Sequence, residues 1–182
     1  MLGPTGSIPG AVAGSERKMI EVIRQDAFFV LGLPIQASWD ALPRHAAAAW
    51  EQVLAVEEFL APAARGTYVR ITVGVEQGVY HEFVGVRVDG DIAVPAGLQR
   101  FAMPAQRYVR KRHYGRMVDV LDGFIDLYRF AKNHALGAQD LRIDMGYLAG
   151  PDGGFHELLV AIEPQLAPVL QGPTVEPSSE IG

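Results

Sequence analysis

Two stretches of this chain are written almost alike. VYHEFVGVRV stands at residues 79–88 and GFHELLVAIE at 154–163, each an aromatic, then His-Glu, then an apolar run of strand-forming residues. The two His-Glu pairs lie 75 positions apart. A period that long is too large for a solenoid repeat, and two copies are too few to stack as one. What remains is a pair of similar units that complete one another, sharing a single sheet and core.

The elements around the echo support that reading. IEVIRQDAFFVLGLPIQ reads as one strand over about 20–35. In the helix that follows, Asp40 is placed to cap and Pro43 sits in the first turn. Apolar side chains at 42, 46, 49, 53, 56 and 60 make one stripe, and Pro62 and Gly66 stop it. TYVRITVGV and VYHEFVGVRV then flank the short turn EQG as a hairpin. The second half repeats the order, with a strand over 103–113 and a helix over 116–136 that turns Met117, Leu121, Phe124, Tyr128 and Ala131 to one face and stops at Gly137. Strands over 141–150 and 155–163 follow, around PDGG. The expected fold is α+β: duplicated β-α-β-β units related by a pseudo-two-fold, an antiparallel sheet with a helix on each half, and a central cleft. The expected domain is 19–166, with halves about 19–97 and 98–166; residues 1–18 form a disordered leader and 167–182 a flexible tail, both rich in Pro, Gly and Ser. Met19 is a candidate natural start.

A net charge of −5 argues against nucleic-acid binding by bulk electrostatics, and the basic run RYVRKRHYGR reads as a solvated strand, with Arg110 and Arg112 on one face. No apolar run is long enough to span a membrane. With no cysteine there is no disulfide framework and no thiolate zinc site, and a cytoplasmic setting fits. None of the five histidines forms a helical metal pair, and no cofactor is expected.

Alternation along the last strand puts Leu158, Val160 and Ile162 toward the helix-covered core and Glu157, Leu159 and Ala161 toward the cleft. By the echo, Glu82 belongs on the matching face with Val84, Val86 and Val88. A carboxylate in an apolar recess must be paired, hydrogen-bonded or protonated. Glu157 is thus a candidate ligand-binding or catalytic acid, or a solvated one. Glu82 is its partner, or is simply paired by Arg70 or Arg87.

WEQVL in the first helix, EFVGVRV, MPAQRYVRKRHYG and above all IDMGYLAGPDGGFHELLVAIEP resemble the GyrI-like small-molecule-binding domains, the effector-binding domains of multidrug-responsive and AraC-type regulators, over about residues 20–164. The resemblance implies an aromatic-lined pocket between the halves, with an acid near its floor that binds hydrophobic cations in regulator members. It puts Glu157 at the acidic position, Tyr147 at an aromatic one, and His113 and Gly115 at a strand-to-helix corner. Arg87 stands where many such domains carry Glu, which suits a neutral or anionic ligand better than a cation.

The expected ligand-binding set is Glu157, Tyr147, Tyr108, Tyr68, Trp50, Trp39, Phe83, Arg87 and His113, with core positions the competing reading for the rings. The expected function is a stand-alone protein that binds or sequesters a small, largely apolar or aromatic compound, with no membrane or direct nucleic-acid partner. One alternative is a hydrolase of cyclopropane-type genotoxins using Glu157 and Glu82 as acid and base. A second is a protein-interaction or gyrase-modulating module.

Overall fold

The computed structural model describes residues 20–56, 68–89, 92–114, 119–146 and 155–163. The leader, the tail, Tyr147, Gly115, Met117, the stops at Pro62 and Gly66 and the PDGG turn lie outside them.

The chain runs β1 (Ile20–Gln25), β2 (Phe28–Ser38), α1 (Leu42–Ala55), β3 (Tyr68–Glu76), β4 (Val79–Val88), β5 (Gln99–Met103), β6 (Gln106–Tyr114), α2 (Val120–Asn133), β7 (Ala138–Met145) and β8 (Phe155–Ile162). All eight strands form one sheet, ordered β1-β6-β8-β7-β3-β4-β2-β5. Every pairing is antiparallel. The fold is α+β as expected, and the same series of elements, β-β-α-β-β, occurs in each half.

The first predicted strand is two. β1 and β2 separate at Asp26–Ala27 because their partners lie on opposite flanks: β1 pairs with β6, while β2 pairs with β4 and β5. The short β5 ends at Met103, where Pro104 brings no N–H to a ladder and β6 starts two residues later. Helix α1 buries Leu42, Ala46, Ala49 and Val53 of the predicted stripe and also Trp50 beside it; Val56 is partly buried at its end, and position 60 lies outside the described residues. Its N-cap is Ala41 rather than Asp40, and no side chain caps it; Pro43 supplies the first-turn geometry. On α2 the buried face is Val120, Gly123, Phe124, Leu127 and Ala131, rotated from the predicted stripe so that Leu121 stands 53% exposed. Gly123 sets how near α2 lies to the sheet, since a Cβ there would sit 2.3 Å from the Leu158 side chain. The β3–β4 turn is made by Gln77 and Gly78, both at positive φ.

Connectivity dictates the shape of the sheet. In a flat sheet β1 and β2 would be roughly 29 Å apart, six strand spacings. The chain joins Gln25 to Phe28 across two residues, a reach of at most about 11 Å. The β5–β6 link imposes the same limit from the other side. The sheet must therefore curl until its flanks meet at one end. Gly32 and Gly85, directly opposed on β2 and β4, allow a close approach there: a Cβ on Gly32 would lie 1.9 Å from the Val84 carbonyl oxygen.

The packing has three parts. Against α1 lie Leu31, Ile35, Val84, Val86 and Val88. Against α2 lie Val109, Leu158, Val160 and Ile162. The third cluster faces away from both helices and draws on every strand: Ile23, Phe28, Val30, Val69, Ile71, Phe83, Phe101, Met103, Tyr108, Ile143, Leu159 and Ala161. One apolar cluster can join both flanks of the sheet only if the sheet curls toward it. Val69, Ile71, Tyr108 and Ile143 are all fully buried, and neither α1 nor α2 contributes a residue to their cluster.

Candidate ligand-binding face

The inward face combines rings and a charged margin. Phe83 on β4 and Phe101 on β5 stack with centroids 5.0 Å apart, inclined at 22°. Tyr108 on β6 is fully buried opposite Ala161, and Gln106 Nε2 donates to its hydroxyl at 2.6 Å. Burial pushes the Tyr108 phenol above its ordinary pKa, and the bond from Gln106 only partly opposes this. On β4, the Arg87 guanidinium stands 4.7 Å from the centre of the Phe28 ring. Its carboxylate partner, Asp89, lies 3.6 Å away with its side chain 85% exposed.

Glu157 shares this face with Leu159 and Ala161, as alternation along β8 predicts, but it is not an isolated acid. It lies in a ladder of alternating charge across β1, β6 and β8. Arg110 donates through Nε and Nη2 to Glu21 Oε1, at 3.1 and 2.6 Å. The Nη1 of Arg110 is 3.5 Å from Glu157 Oε1, and the Nε of Arg112, which is opposite Glu157 in register, is 3.7 Å from the same oxygen. The Glu157 carboxylate is thus flanked by two guanidiniums.

Glu82 is on the other side of the sheet. It pairs in register with Ile35 and shares its face with Val84 and Val86, under α1. Its side chain is 2% exposed; Arg70 Nε donates to Oε2 at 2.8 Å and Thr72 Oγ1 to Oε1 at 3.0 Å. Arg142 Nε in turn donates to Thr72 Oγ1 at 3.2 Å. The expectation that Glu82 and Glu157 share a cleft fails because the His-Glu echo is out of step with the strands. Phe83, not Glu82, points inward on β4, and a one-residue slip sends every side chain to the opposite face. Of the two explanations for Glu82, pairing by Arg70 is the one observed.

The other predicted residues divide between the faces. Phe83, Arg87 and Tyr108 join Glu157 on the inward face. Trp50 is core on the sheet-facing side of α1, edge-on to Tyr68 at 6.0 Å between ring centres, so both rings belong to the helix-covered side. Trp39 stands 58% exposed beside Tyr80, at the end of β2. His113 lies on the α2 side, its ring 6.3 Å from that of His156, whose Nδ1 bonds Asp144 at 2.7 Å. Among the described residues, nothing partners His113 Nε2. Sequence reasoning missed Phe28, Phe101 and Met103, and did not connect Arg110 and Arg112 with Glu157. Only the strand pairing brings these together.

No family model matches this sequence, and no curated protein matches it. Solved structures do match. SAV2435 bound to tetraphenylphosphonium aligns at a TM-score of 0.62 and 10% identity, over 80% of this chain and 94% of that one. EcmrR, from a complex with DNA, aligns at 0.56 and 12% identity, over 80% of this chain and 57% of that one. A hydrolase encoded by lin2189 from Listeria innocua aligns at 0.51 and 8% identity, over 82% of this chain and 94% of that one. At such identities the likeness is one of fold. The chain shares its fold with these proteins, a likeness consistent with the resemblance of its sequence to GyrI-like domains. No helix among the described residues is long and apolar enough to cross a membrane.

Proposed function

We propose that this protein binds a small, largely aromatic compound on the inward face of its curled sheet, as the sensing or sequestering part of a response to that compound. The observation that carries this is the apolar cluster fed by all eight strands, with Phe83, Phe101 and Tyr108 in it and charge only at its margin. Concave, mostly apolar surfaces with few polar groups are the usual form of a small-molecule site. The same fold in SAV2435 is seen with tetraphenylphosphonium.

Hydrolysis by paired glutamates loses its basis here. An acid and a base must reach the same substrate, and Glu82 and Glu157 stand on opposite faces of the sheet. The likeness to a Listeria hydrolase is one of fold and assigns no acid or base.

Isothermal titration with the neutral probe triphenylphosphine oxide tests the proposal. Saturable one-to-one binding is expected, weakened about fivefold to tenfold by Phe101→Ala, since an aromatic contact contributes about 1 kcal/mol. Leu121→Ala, on the exposed side of α2, is expected to leave it unchanged. Equal effects of the two substitutions would remove the inward face from consideration.

A further inference from the structure

We infer that the ligand of this face is an anionic aromatic, one bearing a carboxylate or similar group, and not a hydrophobic cation. This rests on the binding face proposed above. The ladder Glu21, Arg110, Glu157, Arg112 sums to zero, so Glu157 presents no unbalanced negative charge. A cation approaching it would meet Arg110 and Arg112, whose nitrogens already lie 3.5 and 3.7 Å from its oxygen. Arg87 adds a third guanidinium to the inward face, on β4, with its side chain 26% exposed. Among the described residues, the carboxylate paired with Arg87 is that of Asp89, which is 85% exposed and therefore more strongly screened by water than the guanidinium. Among the described residues, the inward face thus carries Arg87 outside the balanced ladder, opposed only by the exposed Asp89, beside the Phe28 ring on which Arg87 rests. An aromatic anion can lie against the partly buried Phe101, which is backed by Phe83, while its charge faces Arg87 and the outer end of the ladder. An aromatic cation gains the ring contact and loses the electrostatics.

Three probes of similar bulk and different charge decide this: tetraphenylborate, triphenylphosphine oxide and tetraphenylphosphonium, titrated into the full chain with one-to-one stoichiometry required. The expected order of affinity is anion, then neutral, then cation, with at least a tenfold gap between the first and last. The gap should shrink as salt is raised. Arg112→Gln, at a half-exposed position, is expected to narrow the gap by uncovering Glu157. Glu157→Gln is expected to widen it, and Arg87→Gln to weaken tetraphenylborate severalfold while sparing the neutral probe. Tighter binding of tetraphenylphosphonium than of tetraphenylborate, with Glu157→Gln abolishing it, overturns the inference and leaves the binding face standing. Failure of all three probes to bind the folded protein overturns both.

Discussion

Replacing Gly32 with alanine tests how the sheet is built. The new Cβ would stand 1.9 Å from the Val84 carbonyl oxygen and 2.6 Å from the Gly85 Cα, both backbone atoms of the paired strand. No side chain can swing away to relieve this contact. β2 and β4 must separate by roughly 1.5 Å to restore van der Waals distance, which breaks the ladder hydrogen bond there. Overpacking of this kind costs about 1–3 kcal/mol, and a lost backbone hydrogen bond adds about 1. Stiffening of the unfolded chain returns about 0.5–1 kcal/mol. The net loss is about 2 kcal/mol, which for a chain of this length lowers Tm by roughly 6 °C. Gly74→Ala is the control, since a Cβ at Gly74 meets nothing within 4 Å; its effect should stay within about 0.5 kcal/mol. Urea unfolding followed by circular dichroism measures both variants. A Gly32→Ala loss below about 1 kcal/mol, or one equal to that of Gly74→Ala, would refute the close backbone approach of the paired strands β2 and β4 at Gly32 and Gly85.

Other outcomes follow from the two faces. Glu82→Gln should destabilise the fold by about 1–3 kcal/mol in denaturant unfolding, because the carboxylate buried between Arg70 and Thr72 loses its charge, yet leave the affinity for triphenylphosphine oxide unchanged within about twofold. A large loss of affinity without a loss of stability would return Glu82 to the binding site. The phenols of Tyr108 and Tyr128 are both held above their ordinary pKa, chiefly by burial, so each favours the folded state fully below about pH 10 and loses that contribution as pH rises through its folded value. Stability should therefore fall above about pH 10, and less steeply in Tyr108→Phe, as followed by unfolding at a series of alkaline pH values. An unchanged slope would count against the burial of that hydroxyl.

Much of this architecture is legible in the sequence, and the failures have physical causes. The stripe of α1 and the β3–β4 turn depend on local chemistry, the helical period in one case and Gly78 in the other, and both appear where expected. The parity of β8 is legible because, after His156 and Glu157, its residues are all apolar, so Glu157 marks one face and Leu158 the other. β4 offers no such contrast: VYHEFVGVRV carries apolar residues on both faces, one side packing under α1 and the other lining the inward cluster, and a charge on each, Glu82 on the first and Arg87 on the second. The echo then aligns Glu82 with Glu157 although the strands are one residue out of step. The break between β1 and β2 falls inside one continuous run of strand-forming residues. Only the partners on opposite flanks reveal it, and these are not local. The neutralisation of Glu157 has the same origin, since Arg112 is opposite it solely through the β6–β8 register.

The account stands on ligand binding at the inward, helix-free face. Methyl-resolved NMR during titration with triphenylphosphine oxide observes the two faces separately, because the ring currents of the probe displace the methyl signals they approach. The predicted result is saturable shifts at Ile23, Ile71, Ile143 and Leu159, with Ile35, Leu127, Leu158 and Ile162 unmoved. Shifts concentrated beneath α1 and α2, or no saturable shift at any of these methyls, would contradict it.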